Sequence, residues 1–380
     1  MKNIFSMPQA DIEGAYMTNI CFLLGGFQSN GGIGRSTAIV ANALAQKEDI
    51  KVTAICYIDK KVDFLYEISP KLTVRYLYEQ NISMAKALLK NHAVALLAAE
   101  LKKANADVVV ACGALYYPLA LLAARKTGSK CICWEHTNPA VTSDYKFQNY
   151  CRKFAVKKAD KIINLTLSGD AYYKKELKAK PDRLLQLYNP VDKAAAVSPE
   201  YNCESKKIIS VGRLSYPKNF SLLLDVAADV LKKNPGWVWD IFGEGEEREA
   251  LEAKIKELGL EGLVTLKGQV SDLYSRYGEY AFQVMTSRYE GFPMSLIEGA
   301  VNRLPLISFD IATGPSEIIT DGENGFLVES ENKAQMAEKI EELIKNSQLR
   351  VSMSQKAYES ALRFDINEIT ERWCELCRNI

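Results

Sequence analysis

Short apolar runs alternate with longer amphipathic segments along almost the whole chain. This alternation is typical of parallel β-sheets whose crossover helices cover both faces. In the first half, we predict strands at 18–24, 52–57, 108–111, 130–134, 161–165 and 184–187. The pattern then restarts, with predicted strands at 207–211, 238–242, 263–266, 282–285, 305–309 and 326–328. The pattern therefore predicts an α/β protein with two doubly wound domains.

The boundary between these domains is expected near the middle of the chain. A length of 380 residues exceeds the size that one hydrophobic core usually serves. Residues 189–205 mix proline, alanine, serine and polar residues without a clear period, which is typical of a linker. We therefore expect a first domain at 1–190, a second at 191–365 and a further helical segment at 366–380.

Composition adds a cellular location to this prediction. With 48% apolar and 25% charged residues, the chain resembles ordinary soluble proteins. It has no run of 18 uninterrupted apolar residues, and residues 1–16 lack the order of a secretory signal. The nine cysteines fall mostly in strand-like runs, which favours buried thiols over a disulfide framework. We expect a cytoplasmic protein without a structural metal.

Charge is distributed unevenly between the two halves. Residues 1–190 hold 26 Lys+Arg against 16 Asp+Glu, a net +10, and residues 191–380 hold the remaining 22 against 31, a net −9. A basic first half favours an anionic partner, such as a pyrophosphate-linked acceptor or an acidic membrane face. Nucleic acid is the competing interpretation, but no recognition module accompanies the charge.

One basic segment is a candidate for membrane contact. Residues 145–158 interleave aromatic side chains with four lysines and one arginine. Such a segment can lie on an anionic membrane surface, at the inner face of the cytoplasmic membrane. The alternative is a surface helix whose aromatic side packs inward.

The most specific chemistry lies at residues 287–298. Glu290 and Glu298 bracket a Gly-Phe-Pro turn that precedes an apolar helix. A carboxylate beside a turn can accept two sugar hydroxyls, and Glu298 can accept a ribose diol. The amides of Met294, Ser295 and Leu296 would face an anion at the helix start. The alternative is a capping box formed by Ser295 and Glu298, which needs no ligand.

Other candidate residues also follow predicted strands. Arg213 and Lys218 come after the strand at 207–211, and His136 follows the strand at 130–134. Residues 31–34 form a glycine loop after the first strand. Ligands of open parallel sheets bind beyond the carboxyl ends of the strands, so these positions predict one common cleft.

The glycine loop also has a competing interpretation as a dinucleotide site. The dinucleotide fingerprint requires a third glycine, but Thr37 occupies that position. An acidic residue, Asp59, does follow the next strand, as that fingerprint requires.

Together these motifs resemble those of the retaining glycosyltransferases of family 4, which have the two-domain GT-B fold. The resemblance spans nearly the whole chain. It is carried by the following motifs: Gly31-Gly-Ile-Gly-Arg35, Trp134-Glu-His-Thr-Asn-Pro139, Asn189-Pro190, Arg213 with Lys218, and Glu290 with Glu298.

The resemblance implies a role for each candidate residue. Arg213 and Lys218 would stabilise the leaving pyrophosphate, while Glu290 and His136 would hold the transferred sugar. The remaining donor-binding residues would be Gly31, Gly32, Gly34, Val270, Gly291, Phe292, Met294, Ser295, Leu296 and Glu298. The segment 366–380 would cross back to the first domain.

The resemblance further implies a metal-independent transferase that uses a UDP-sugar and has no cofactor. The chain indeed contains no Asp-x-Asp tripeptide, the usual metal-binding motif of the other common transferase fold. Residues 313–317 resemble those of polysaccharide-assembling members that transfer galactose-type or N-acetylhexosamine residues. The acceptor would be a saccharide or a lipid-linked saccharide. Sugar-nucleotide epimerases, phosphorylases and non-catalytic binders share this architecture and stay open as alternatives.

Overall fold

The computed structural model describes residues 17–27, 32–58, 63–64, 66–79, 92–191, 200–270 and 272–380. Its first sheet has the order β3-β2-β1-β4-β5-β6-β7 and is parallel throughout. Its strands are β1 Thr18–Leu24, β2 Ile50–Ile58, β3 Thr73–Tyr78, β4 Val108–Cys112, β5 Lys130–Glu135, β6 Lys161–Asn164 and β7 Leu184–Gln186. The helices of this half are α1 Gly32–Leu44, α2 His92–Lys103, α3 Tyr117–Thr127, α4 Lys146–Lys158 and α5 Leu167–Lys175.

The second sheet is also parallel and has the order β10-β9-β8-β11-β12-β13. Its strands are β8 Lys207–Val211, β9 Val238–Phe242, β10 Val264–Gly268, β11 Phe282–Met285, β12 Leu306–Asp310 and β13 Gly325–Glu329. The helices of this half are α6 Phe220–Leu231, α7 Arg248–Glu257, α8 Leu273–Arg276, α9 Met294–Val301, α10 Lys333–Lys345 and α11 Ser347–Ala361. The predicted α/β class is therefore confirmed, with two Rossmann-like domains.

Each predicted strand is present, and most differ from the prediction by one or two residues at an end. The strand β3 was missed. It lies at the edge of the first sheet and carries half-exposed residues, so its apolar signal is short. Among the described residues, no helix is both long and apolar enough to cross a bilayer.

The helix α12, Ile366–Asn379, lies against the first domain. Its Trp373 ring packs edge-on against Trp134 at a centroid distance of 4.8 Å and lies 6.0 Å from Phe22. Ion pairs join Lys47 to Glu371 and Arg378 to Asp49 around this contact. The chain therefore crosses between the domains twice, once near residue 190 and once before α12.

Candidate active site

Loops that follow the strands of both sheets meet between the two domains. The His136 loop, residues 136–142, follows β5, and the donor loop, residues 287–293, follows β11. A Cβ atom on Gly291 would lie 2.2 Å from the carbonyl oxygen of His136. Only glycine allows this approach, so the two loops are in direct backbone contact.

Lys218 and Glu290 are brought together within the second domain. The turn at Tyr216–Lys218 is tied to the donor loop, because the amide of Arg288 donates to the carbonyl of Pro217 over 2.8 Å. The ammonium of Lys218 forms an ion pair with Oε1 of Glu290. Oγ of Ser287 donates to the same oxygen over 2.6 Å. The Glu290 carboxylate is therefore oriented by two donors before any ligand binds.

Arg213 lies in the loop that follows β8, before the Tyr216–Lys218 turn. Its side chain is 61% exposed and contacts Glu246 at 3.1 Å, a carboxylate that is similarly exposed. An ion pair this exposed is weak, because water screens it. The guanidinium can therefore exchange Glu246 for a phosphate oxygen at little cost.

His136 is buried against the first sheet. Its ring lies 4.2 Å from the Trp134 ring, and burial lowers the pKa of His136 to about 3. Its Nε2 atom has no hydrogen-bond partner among the described residues. The imidazole is therefore neutral at physiological pH and keeps a buried nitrogen that is unused within the described part of the chain.

A buried ion pair supports the His136 loop from behind. Nε of Arg152, on α4, donates to Oε2 of Glu135 over 2.7 Å, and both side chains are almost completely buried. Nη2 of Arg152 also donates to the hydroxyls of Thr137 and Thr142. The hydroxyl of Tyr173 donates to Glu135 over 2.9 Å. These bonds fix the backbone on which His136 lies.

Glu298 has a different environment from Glu290. Its side chain is 1% exposed, and Oε1 is paired with the guanidinium of Arg35 from α1 of the first domain. The same guanidinium contacts the hydroxyl of Tyr274, and Tyr277 donates to Oε2 of Glu298 over 3.2 Å. Burial raises the pKa of Glu298, and the nearby Arg35 charge opposes that rise. The expected ribose-binding carboxylate is thus enclosed by a cross-domain ion pair.

The capping-box interpretation of this segment is wrong. Helix α9 begins at Met294 and has Pro293 as its N-cap, so Ser295 lies inside the first turn. Because Glu298 is paired with Arg35, its carboxylate does not cap the helix.

The structure also corrects one detail of the expected anion site at this helix start. The amide of Leu296 donates to the carbonyl of Pro293, so it does not face an anion as we expected. Met294 and Ser295 keep the first two helical positions.

Other predicted donor-binding residues differ in placement. Phe292 stacks on Tyr188 of the first domain at 5.2 Å and is buried, so its side chain serves interdomain packing. Val270 is half-buried and packs beside a cluster that includes Tyr277. In the glycine loop, Gly32 begins α1 and Gly34 is buried in it, whereas Gly31 lies outside the described residues.

The outer face of α4 carries exposed aromatic side chains. Tyr145, just before the helix, and Phe147 and Tyr150 within it are each at least 40% exposed. The residues that face the core are Cys151, Arg152 and Ala155. The interpretation in which the aromatic side packs inward is therefore wrong for these three residues.

Several residues of the site were missed from the sequence. Arg35 was seen only as the end of a glycine motif, and Asn138 and Thr313 were not assigned a role. In the structure, Asn138 donates from the first domain to Thr313 of the second over 2.8 Å. No group of three or more histidine, cysteine, aspartate or glutamate side chains that could hold a metal occurs in the part of the chain described.

Both halves of the chain match family models of glycosyltransferases. The family model Glycosyltransferase Family 4 matches residues 30–195, and the model Glycosyl transferases group 1 matches residues 194–360. An uncharacterized glycosyltransferase of Haemophilus influenzae is 30% identical over 365 residues, which are 94% of this chain and 99% of that protein.

Two further proteins are informative. A Campylobacter jejuni protein, GalNAc-alpha-(1->4)-GalNAc-alpha-(1->3)-diNAcBac-PP-undecaprenol alpha-1,4-N-acetyl-D-galactosaminyltransferase, is 25% identical over 370 residues, 96% of this chain and 99% of that protein. A crystal structure of S. aureus TarM with fondaparinux, alpha-GlcNAc-glycerol and UDP has a TM-score of 0.81 at 18% identity, covering 95% of this chain and 100% of that one. The structural match confirms the predicted GT-B fold.

Proposed function

The chain belongs to the glycosyltransferases, and we propose that it is a retaining, metal-independent member that transfers a hexose or N-acetylhexosamine from a UDP-sugar to a saccharide hydroxyl. The observation that carries this proposal is the contact between the His136 loop and the donor loop. This contact brings the backbone of the His136 loop in one domain against the loop that holds the Lys218–Glu290 pair in the other. The site has no cofactor in this proposal.

The proposed reaction uses charge stabilisation by Arg213 and Lys218. The bond between the anomeric carbon and the diphosphate oxygen breaks, and the acceptor oxygen forms its bond on the same face of the sugar. The acceptor proton passes to the departing phosphate. Arg213 exchanges Glu246 for that phosphate, and the Lys218 ammonium neutralises charge that grows during the step.

The sugar itself is held by Glu290 and His136. The Glu290 carboxylate, oriented by Lys218 and Ser287, retains lone pairs that can accept two sugar hydroxyls. The neutral His136 imidazole offers Nε2 as a further hydrogen-bonding atom. We expect the backbone amides of Met294 and Ser295, in the first turn of α9, to contact the diphosphate.

We infer a galactose-type sugar and a lipid-linked acceptor in surface polysaccharide biosynthesis. The Campylobacter relative is named as an N-acetylgalactosaminyltransferase acting on an undecaprenol-linked saccharide. The exposed aromatic side chains of α4 lie among Lys146, Lys153 and Lys157. We propose that this face contacts an anionic membrane and thereby brings the site to its acceptor.

The first test is nucleotide-dependent thermal stabilisation without metal. UDP, GDP, ADP and NAD are compared on the wild type, the Arg213→Ala variant and the Lys345→Ala variant. Lys345 is an exposed cation paired with Glu341 on α10, so it controls for loss of a charge. At 100 times its dissociation constant, UDP should stabilise the wild type by about 2.7 kcal/mol.

The proposal requires this UDP shift to persist in Lys345→Ala and to shrink in Arg213→Ala. A shift with NAD alone would overturn it in favour of a dinucleotide enzyme. Conversion of a UDP-sugar to its epimer without an acceptor would favour the epimerase alternative. Absence of thermal stabilisation by all four nucleotides would favour a non-catalytic protein.

Membrane contact is tested by flotation with vesicles. We expect the wild type to bind vesicles containing phosphatidylglycerol more than vesicles of phosphatidylcholine alone, because Lys146 and Lys153 meet anionic headgroups. The Phe147→Ser/Tyr150→Ser double variant should lose most of this binding. The control is Val351→Ser, an exposed apolar residue on α11. Equal binding of the double variant and the control would refute a role for this face.

A further inference from the structure

Asn138 and Thr313 form a buried hydrogen bond between domains across 175 positions of sequence. Nδ2 of Asn138 donates to Oγ1 of Thr313 over 2.8 Å, and each residue is 4% exposed. The hydroxyl of Thr313 then donates to the backbone carbonyl of Glu290. Two consecutive hydrogen bonds therefore connect the first domain to the residue that we place on the donor sugar.

The direction of these hydrogen bonds is set by the chemistry of the partners. Oδ1 of Asn138 accepts from the amides of Ala140 and Val141, at 2.9 and 3.3 Å. Those bonds turn the oxygen towards its own loop and leave the NH2 group for Thr313. Because the single hydroxyl proton of Thr313 goes to Glu290, Thr313 needs a donor as its partner, which an asparagine provides and an aspartate does not.

Both loops that carry this contact are held firmly. The Arg152–Glu135 pair fixes the His136 loop, as described above. In the second domain, Gly314 has a φ of 100°, and a Cβ atom there would lie 2.5 Å from Cδ of Pro293. The turn that follows Thr313 is therefore packed against the donor loop. A displacement on one side of the contact is passed to the other side, because neither loop has room to absorb it.

We propose that Asn138 and Thr313 are positioning residues that make the placement of Glu290 depend on closure of the two domains. This inference rests on the proposed role of Glu290. When the first domain moves away, Thr313 loses its donor and Gly291 loses its contact with His136. Glu290 then keeps its side-chain contacts with Lys218 and Ser287, but its backbone loses support from the first domain. The carboxylate reaches its working position only in the closed enzyme, which limits cleavage of the donor in the open one.

The test without substrate is hydrogen exchange of the backbone amides at 287–296. The Asn138→Asp variant keeps the acceptor for Ala140 and Val141 but removes the donor to Thr313. We expect faster exchange at 287–296 in Asn138→Asp and in Thr313→Val, although Asn138 belongs to the other domain. The double variant should exchange no faster than the faster single variant. The control is Thr370→Val, a buried threonine that donates within α12.

The second readout is turnover of UDP-N-acetylgalactosamine, followed as release of UDP. We expect kcat to fall about 10-fold in Asn138→Asp and in Thr313→Val, with UDP affinity unchanged, because a displacement below 1 Å at a reacting group is costly. The Thr313→Ser variant keeps the hydroxyl that Thr313→Val lacks, so its kcat should be close to that of the wild type. A merely structural role would lower the melting temperature without this selective loss of kcat.

Unchanged exchange at 287–296 in Asn138→Asp would overturn the proposal, and so would wild-type kcat in both single variants. The Glu290→Gln variant shows whether a negative result refutes only the positioning role or also the proposed function. If Glu290→Gln loses turnover while Asn138→Asp keeps it, the positioning role is refuted and the site stands. If Glu290→Gln keeps full turnover, the proposed site itself is refuted.

Discussion

The two glutamates of the paired motif occupy opposite environments at the two ends of the site. Glu290 is partly accessible and is paired with Lys218 of its own domain. Glu298 is 1% exposed and is paired with Arg35 of the other domain. In the proposed site, the sugar end would therefore be assembled largely within the second domain, whereas the nucleoside end would be closed by the first domain.

This difference indicates an order of events. A carboxylate has lone pairs to spare, but at Glu298 the surrounding Arg35, Tyr274 and Tyr277 leave no surface for a ligand. A ribose diol can reach Glu298 only after Arg35 has moved. In the proposed site, nucleoside binding therefore displaces the Arg35 side chain from Glu298, while the Glu290 carboxylate already contacts Lys218 and Ser287.

The largest effects are expected when each of the two carboxylates is replaced separately by an amide. We expect Glu290→Gln to lower kcat on the order of 10²-fold, because the amide accepts fewer hydroxyls and leaves Lys218 unpaired. UDP binding should change little in that variant. Glu298→Gln should show the reverse pattern, with UDP affinity reduced about 10-fold and kcat at saturating donor nearly unchanged.

These values are measured by UDP release at varied donor concentration and by calorimetric titration with UDP. Glu359 is an exposed carboxylate on α11, so Glu359→Gln controls for the same chemical change away from the site. If Glu290→Gln and Glu298→Gln lose the same parameter, the two ends are not functionally distinct and the comparison fails.

A smaller effect is expected when the cross-domain pair is opened. Arg35→Ala removes the competitor of the ribose at Glu298 and leaves a buried carboxylate that gains from a new partner. We therefore expect UDP to bind about 5-fold more tightly, or about 1 kcal/mol. Arg75→Ala, which opens an ion pair with Glu100 elsewhere in the first domain, should leave UDP affinity unchanged.

The same variant should change how stability depends on pH. Burial already raises the pKa of Glu298, and loss of Arg35 removes the charge that opposes this rise. In Arg35→Ala the folded state then binds this proton more tightly than the unfolded state, so stability falls as pH rises through the raised pKa. The loss of stability relative to wild type should be larger at pH 8 than at pH 5. A loss independent of pH would contradict this account.

Much of the fold follows from local sequence signals. The strands at 207–211 and 282–285 are strongly apolar, and their ends place Lys218 and Glu290 at one edge of a parallel sheet. Their placement in one cleft was therefore predictable, whereas their ion pair depends on the pairing of β11 with β8, which the pattern does not give. By contrast, β3 was missed because an edge strand needs only partial burial.

The cross-domain contacts could not be predicted in the same way. The partner of Glu298 depends on how two separately folded sheets are oriented, and no periodicity in either half encodes that angle. Arg35 follows three glycines, and this pattern predicts a backbone contact with a ligand but does not predict a partner for the Arg35 side chain. Phe292 is apolar whether it faces a ligand or Tyr188, so its sequence position does not distinguish the two.

The placement of Trp373 has a consequence for biosynthesis. Trp134 and Phe22 belong to the first domain, but the ring that covers them is translated only after the whole second domain. Until then, the parts of Trp134 and Phe22 that Trp373 contacts lack their native cover. Nascent chains paused between residues 190 and 365 should bind chaperones that recognise apolar surfaces. Chains long enough for α12 to leave the ribosome should no longer bind them.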